Sequence, residues 1–476
     1  MDTFNSARWV ALSQVGRVAM QLCSLALLAR LLPPADYGLM AMATVVTNFA
    51  LLLRDLGTTA AIIQRMDLRE ETKATVFWLN NLMGWCLAFA LIVFSPVIAR
   101  YFSSAKLVPV LLALAILFPL ASAGAVHQAL LERQSAFRVL ARIELGSSGL
   151  GLAAAMVAAL SGAGVYSLVI QAVLTTGLSC AQLWLASGWH PRSRPVWSEI
   201  KGLIGFSGNL TAFNFINYFS RNADGMIIGR YLGVTALGAY SMAYKLMLFP
   251  VQNLSWVAAK ALYPVMSKHQ NDTAKILKLY LRAIRLIALF TAPLMAGLVA
   301  VREPFVRIAF GPNWGMVPEI LAWMAPIGFI QSIVSTSGTI FMARGRTDIM
   351  VWLGMFYATL AIAAFVVGSQ YGVVGVAALF CVANIINAIP CMVTTMRILE
   401  SSLNKLLEAI AVPVVGALLM WGALTAMQLI FPSAFAQGNL GFLMSVGFGV
   451  LSYGFIIVFI FRQDLSDVRT LVRLSP

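Results

Sequence analysis

Long apolar stretches follow one another along the chain, separated by short polar turns. Apolar and polar residues do not alternate within the stretches, so the pattern predicts helices rather than strands. Each stretch approaches the roughly 20 residues that a helix needs to cross the hydrocarbon core of a bilayer. Fourteen transmembrane helices are predicted, at 10–32, 38–64, 74–99, 107–131, 143–162, 165–189, 203–228, 239–265, 284–301, 319–343, 349–368, 372–396, 409–431 and 439–461.

The composition supports the same conclusion. Of 476 residues, 60 % are hydrophobic and 11 % are charged, and the mean hydropathy is +0.85. A soluble domain is about 25 % charged, so this chain has too few charges to cover a soluble surface. Soluble multi-domain, nucleic-acid-binding and disulfide-scaffold classes are therefore excluded. The prediction is an all-α polytopic membrane protein.

The basic residues are unevenly divided between the predicted loops. With the N-terminus placed inside, 22 Lys and Arg lie in inside loops and 6 in outside loops. Lys and Arg accumulate on the cytoplasmic side of membrane proteins. The count therefore predicts a multi-pass protein with both termini in the cytoplasm. Basic cytoplasmic loops also explain a net charge of +15 without nucleic acid as a partner.

The chain contains an internal repeat. Residues 29–43, ARLLPPADYGLMAMA, resemble residues 229–243, GRYLGVTALGAYSMA, at a constant offset of 200. Both stretches connect a helix that leaves the cytoplasm to one that returns. The repeat predicts two pseudo-symmetric six-helix lobes, at 1–200 and 201–400, around a central cavity. Residues 401–476 are expected to add two C-terminal helices and a cytoplasmic tail.

Several polar residues lie inside the predicted spans, where a charge costs roughly 2.5–3.5 kcal/mol on insertion scales. We expect them to face the central cavity, in which five basic residues outnumber two acidic ones and so attract an anion. The predicted substrate-binding residues are Arg17, Gln21, Arg54, Asn214, Asn217, Arg221, Lys245 and Lys260. The predicted ion-coupling residues are Asp55 and Asp224.

A structural role for the same residues stays open. Arg221 and Asp224 have the i, i+3 spacing of an ion pair, and Asn and Ser stripes hold membrane helices together. Glu144 lies beside the predicted start of its helix and is not counted among the intramembrane charges.

The sequence lacks the motifs of an enzyme or an ATP-driven pump. It has no Walker A pattern, no paired-carboxylate or Ser-His-Asp set, and only three scattered histidines. No cofactor and no metal site are expected. Transport is then driven by an ion gradient or by the gradient of the substrate.

Several strings resemble a known family. LARLLPPADYGLMAMATVV, RDLGTTAAIIQR and TVFWLNNLMG, with FSRNADGMIIGRYLG and LGAYSMAYKLMLFPVQN further on, resemble Wzx-type polysaccharide repeat-unit flippases, closest to the colanic-acid-exporter-like subgroup. The resemblance implies the multidrug/oligosaccharidyl-lipid/polysaccharide exporter fold. It also implies an undecaprenyl-pyrophosphate-linked oligosaccharide as substrate, turned from the cytoplasmic to the periplasmic leaflet of a bacterial inner membrane by alternating access, with a polysaccharide polymerase as a partner.

Two other transport functions fit the same fold. A multidrug or cation antiporter would need an acidic cavity, which the excess of basic residues disfavours. A lipid-II-type flippase shares the expected charge, and the sequence separates it only weakly. A glycan polymerase or ligase would need a large external loop, and the predicted outside loops are short.

Overall fold

The structure is a computed structural model that describes residues 3–55, 62–63, 68–193, 195–196, 218, 222–269, 272–432 and 438–460. Within these residues all regular secondary structure is helical. The chain forms two compact units, residues 1–238 and residues 239–476. The predicted lobe boundaries at 200 and 400 stay predictions.

The first unit contains eight described helices, six of them long. In chain order they are α1 Thr3–Leu31, α2 Pro34–Asp55, α3 Glu70–Tyr101, α4 Leu107–Leu114, α5 Leu117–Arg133, α6 Phe137–Leu160, α7 Tyr166–Ser187 and α8 222–231, with α9 Gly233–Pro250 crossing into the second unit.

The second unit continues from α9 through a π-helical turn at Val251–Ser255. Its further helices are α10 Trp256–Lys268, α11 Thr273–Ala300, α12 Arg302–Ala309, α13 Val317–Val334, α14 Ser337–Ala343, α15 Thr347–Gly368, α16 Gly372–Ile398, α17 Leu403–Ile430 and α18 Gly438–Phe455.

Ten helical stretches in the described residues are long and apolar enough to cross a membrane. The polytopic, all-helical prediction is thereby confirmed for this part of the chain, whereas the count of fourteen stays a prediction. One of the ten, Thr347–Ile398, contains both α15 and α16, which fold back on each other where Gly368 lies against Val376.

Some predicted bounds differ from those in the structure. The span predicted at 284–301 begins at Thr273 instead, because the Asp272 carboxylate accepts a hydrogen bond from the Lys275 amide at 2.9 Å and caps the helix there. The span predicted at 107–131 is divided between α4 and α5. Apolar periodicity marks the core of a span, while local capping sets where the helix begins.

Small residues let the helices of the first unit approach closely. An ideal Cβ on Gly84 of α3 would lie 2.9 Å from the Phe118 carbonyl oxygen of α5, so only glycine fits at this contact. On the other side of α5, the Trp184 indole of α7 donates to the Ala123 carbonyl at 2.9 Å. The bundle of α3, α5 and α7 is therefore fixed by both backbone proximity and hydrogen bonds.

The second unit is built around a buried apolar cluster with polar links. Tyr280 and Ile284 of α11 pack there with Met396 of α16. Between α13 and α16, the Gln331 amide donates to the Asn384 side-chain oxygen at 3.0 Å. Asn384 is 3 % exposed, so this polar residue inside the span predicted at 372–396 holds two helices together.

Candidate functional site

Arg17 is the predicted site residue whose surroundings the structure defines most fully. Its Nη2 lies 2.8 Å from Oε2 of Glu144, which joins α1 to α6 by an ion pair. Each side chain retains about half of its surface, 51 % for Arg17 and 44 % for Glu144. A guanidinium has five N–H donors, so Arg17 retains donors for a further anion while it is paired.

The partner of Arg17 was missed by sequence reasoning. A helix that begins at 143, as predicted, would leave Glu144 at its end, but α6 begins at Phe137 and places Glu144 two turns inside. An acidic residue that far inside an apolar helix is costly without a cation. The sequence signal for this partner is Arg17 itself, because a cation inside α1 needs an anion on a neighbouring helix.

Further polar side chains of α1 and α6 lie near Arg17 and Glu144 along the chain, and two of them accept hydrogen bonds from α7. Gln21 follows Arg17 by one turn of α1 and is exposed. The Gln171 amide of α7 donates to the Ser24 hydroxyl at 2.8 Å, and the Gln182 amide donates to the Ser147 hydroxyl at 3.2 Å. The stripe on α1 therefore serves two purposes: Ser24 holds the bundle together, whereas Arg17 and Gln21 keep exposed surface.

Two further predicted cations have described side chains. Arg54 is half-buried in the last turn of α2, and Lys245 in α9 has an exposed side chain. The convergence of Arg17, Arg54 and Arg221 on one ligand stays a prediction, because Arg221 lies outside the described residues.

Asp224 is the predicted ion-coupling residue that the structure places. Its side chain is 8 % exposed, and its Oδ1 accepts a hydrogen bond from the Gly225 amide at 2.7 Å. Its helix, α8, packs on α2, where Gly225 lies against Val45. The fold thus holds a carboxylate in the interior of the first unit, supported by a backbone donor.

The remaining predicted residues have no described side chains. They are Asp55, Asn214, Asn217, Arg221 and Lys260.

The two copies of the repeat meet in the first unit. An ideal Cβ on Gly38 would lie 2.6 Å from the carbonyl carbon of Val234, and one on Gly238 would lie 2.7 Å from that of Pro34. The offset of 200 maps Pro34 to Val234 and Gly38 to Gly238, so the contact is reciprocal. A self-complementary contact of this kind is what a two-fold relation produces.

Known proteins with similar sequences act in bacterial polysaccharide biosynthesis. The teichuronic acid biosynthesis protein TuaB of Bacillus subtilis (strain 168) is 28 % identical over 477 residues, covering 99 % of this chain and 98 % of its own. The lipopolysaccharide biosynthesis protein WzxC of Escherichia coli (strain K12) is 27 % identical over 394 residues, covering 81 % of this chain and 79 % of its own.

A solved structure shows the same fold. The lipid II flippase MurJ in its inward closed conformation has a TM-score of 0.74 with 15 % sequence identity, and the match covers 97 % of this chain and 100 % of that chain. The chain therefore has the fold of that structure, and its ten candidate spans make it a multi-pass membrane protein. Residues 27–318, more than half of the sequence, match the family model described as polysaccharide biosynthesis protein, and the chain belongs to that family.

Proposed function

We propose that this chain is a flippase, not an enzyme. It moves an undecaprenyl-pyrophosphate-linked oligosaccharide repeat unit from the cytoplasmic to the periplasmic leaflet of a bacterial inner membrane, with both of its own termini in the cytoplasm. The observation that carries the proposal is family membership together with near end-to-end similarity to TuaB. Alternating access, driven by an ion gradient through Asp55 and Asp224, is part of the proposal.

The exposed cations of the helices support an anionic substrate. Arg17 retains about half of its surface although Glu144 pairs with it. A guanidinium binds phosphate oxygens through two parallel N–H bonds, which a lysine cannot reproduce. We assign the pyrophosphate to Arg17, Arg54 and Arg221, with Lys245 and Lys260 guiding it and Gln21, Asn214 and Asn217 hydrogen-bonding nearby.

The test removes these charges one at a time in a strain that lacks the native gene. Hydrogen bonds to charged groups contribute about 1.5–3 kcal/mol, so we expect Arg17→Gln, Arg54→Gln and Arg221→Gln each to lower export of surface polysaccharide by about tenfold or more. Arg142→Gln is the matched control, because it removes an exposed charge from α6, the helix that carries Glu144. Unchanged export in all three variants at normal protein level would overturn the proposed site.

A second pair of variants separates binding from packing. If Arg17 acts only through its ion pair, Glu144→Gln and Arg17→Gln lower export equally. If Arg17 binds the substrate, Glu144→Gln retains export, because the guanidinium is then still present and carries one competitor fewer.

The rival functions have distinct readouts. Uptake of a cationic dye into vesicles containing the purified chain would indicate a multidrug antiporter. Rescue of a strain depleted of its peptidoglycan flippase would indicate a lipid-II-type flippase. We expect neither, and we expect restored polysaccharide export in the strain that lacks the native gene.

A further inference from the structure

A polar cavity lies in the second unit, and none of the residues assigned to the substrate is among those that line it. It has a volume of about 580 Å³ and lies between the short helix α12 and the last turns of α17. Its polar lining consists of Arg302, Glu303, Arg307, Trp421, Thr425 and Gln428. Ligand pockets have volumes of about 300–1,000 Å³, so the cavity has room for a lipid headgroup or a sugar phosphate.

The two arginines of α12 retain free donors. Nη1 of Arg302 donates to the Val299 carbonyl at 2.9 Å, which uses one of its five N–H groups and fixes the side chain. Arg307 is exposed, and no side chain in the described part of the chain pairs with it. Glu303 forms no ion pair with either guanidinium among the described residues. The cavity thus presents two cations against one carboxylate.

The surroundings of the cavity are apolar. Leu429, which also lines it, is 82 % exposed, and its chain neighbour Ile430 is exposed as well. In a bilayer such a surface contacts hydrocarbon chains. A ligand that places its charge on α12 and its apolar part on the end of α17 is amphipathic, as a lipid is.

The position of these cations is unusual for the chain. The ends of α11 and α17 and the start of α18 lie on the face that the charge count assigns to the outside. Only six Lys and Arg occupy that face by sequence, and two of them lie within the eight residues of α12. The general enrichment of cations in inside loops therefore does not explain Arg302 and Arg307.

We propose that the cavity between α12 and α17 binds the phosphate headgroup of an anionic lipid. Arg302 and Arg307 hold the phosphate oxygens, Thr425 and Gln428 face the hydroxyl groups of the headgroup, and the lipid chains lie on Leu429. Two sources share this chemistry: an anionic phospholipid of the bilayer and a polyprenyl phosphate carrier. The proposal requires only that the chain spans a membrane, and it stands apart from the flippase function.

The experiment measures lipid retained by the purified full-length protein with native mass spectrometry. The probes are phosphatidylglycerol, undecaprenyl phosphate and, as the zwitterionic control, phosphatidylcholine. The variant is Arg302→Gln/Arg307→Gln. The matched control is Arg397→Gln/Lys405→Gln, which removes two exposed charges from the opposite face of the same unit. Arg307→Gln alone is the milder variant, because no side chain in the described residues pairs with that of Arg307.

We expect the wild-type protein to retain at least one anionic probe tenfold better than phosphatidylcholine. The double variant loses that preference and the control keeps it; a tenfold change corresponds to about 1.4 kcal/mol. Preference for phosphatidylglycerol identifies the bilayer as the source, and preference for undecaprenyl phosphate identifies the carrier. Equal retention of all three probes by the wild type, or an equal loss in the control variant, overturns the proposal. A double variant that keeps the wild-type preference does the same. Because no transport is measured, failure here leaves the flippase function untouched.

Discussion

Substitution of Gly38 or Gly238 by alanine tests the closest backbone contact in the first unit. Both residues are buried. Gly38 lies against the carbonyl of Val234, and Gly238 lies against the carbonyl of Pro34, the repeat equivalent of Val234. The obstacle in each case is backbone, which cannot rotate away as a side chain can.

The magnitude follows from the distances. The new Cβ would lie 2.6 Å from the carbonyl carbon of Val234 in Gly38→Ala and 2.7 Å from that of Pro34 in Gly238→Ala, and closer still to the oxygens. Carbon atoms in contact are about 3.5–4.0 Å apart, so the two chain segments must separate by at least about 1 Å, and by more to clear the oxygens. Overpacking lowers stability by about 1–3 kcal/mol. Because the obstacle here is rigid backbone, we expect each variant to lose about 3 kcal/mol or more.

The assay is the thermal stability of the purified full-length protein, followed by size-exclusion chromatography after heating. We expect both single variants to melt well below the wild type. The double variant should be less destabilised than the sum of the two, because the separation forced by one Cβ makes room for the other. Gly354→Ala is the control: nothing lies within 4 Å of its Cβ position, and alanine is favoured over glycine in a helix by about 1 kcal/mol. Single variants as stable as Gly354→Ala, or strictly additive losses, would refute the reasoning.

Three other substitutions test local structure by the same thermal measurement. Asp272→Ala removes a helix cap and should cost about 1 kcal/mol; an unchanged melting temperature would contradict the capping role. Asn384→Leu leaves the Gln331 amide without that acceptor inside the second unit and should cost about 1–3 kcal/mol; a melting temperature equal to that of the wild type would contradict the link between α13 and α16. Gly84→Ala pushes a Cβ against the Phe118 carbonyl and should lower stability by about 1–3 kcal/mol; wild-type stability would show that α3 and α5 can separate freely.

Apolar periodicity was enough to predict a polytopic helical protein, because hydrocarbon leaves the backbone few alternatives. It did not predict that the span at 107–131 is divided into α4 and α5, or that the span at 319–343 is divided into α13 and α14. Both spans are apolar overall, so hydropathy does not mark either break. The site was harder. Arg17 was identified by its cost in an apolar helix, but Glu144 was missed because the start of α6 was placed six residues too late. Neighbouring polar residues also divided in a way that spacing does not show: Ser24 packs against Gln171, while Gln21 stays exposed.

The reciprocal glycine contact connects the repeat to the proposed transport cycle. Alternating access requires the two copies of the repeat to separate at one end of the bundle and then close again. At Gly38 and Gly238 the atom in place of a Cβ is a hydrogen directed at a carbonyl oxygen, and such contacts contribute only about 0.5–1 kcal/mol each. Two such contacts hold the backbones in register at these glycines, and each is weak compared with the free energy that differential binding of a substrate between two states can supply. A bulky residue at either glycine would prevent closure, and a salt bridge there would resist opening. Glycine at both positions is therefore compatible with the opening and closing that the proposed transport cycle needs.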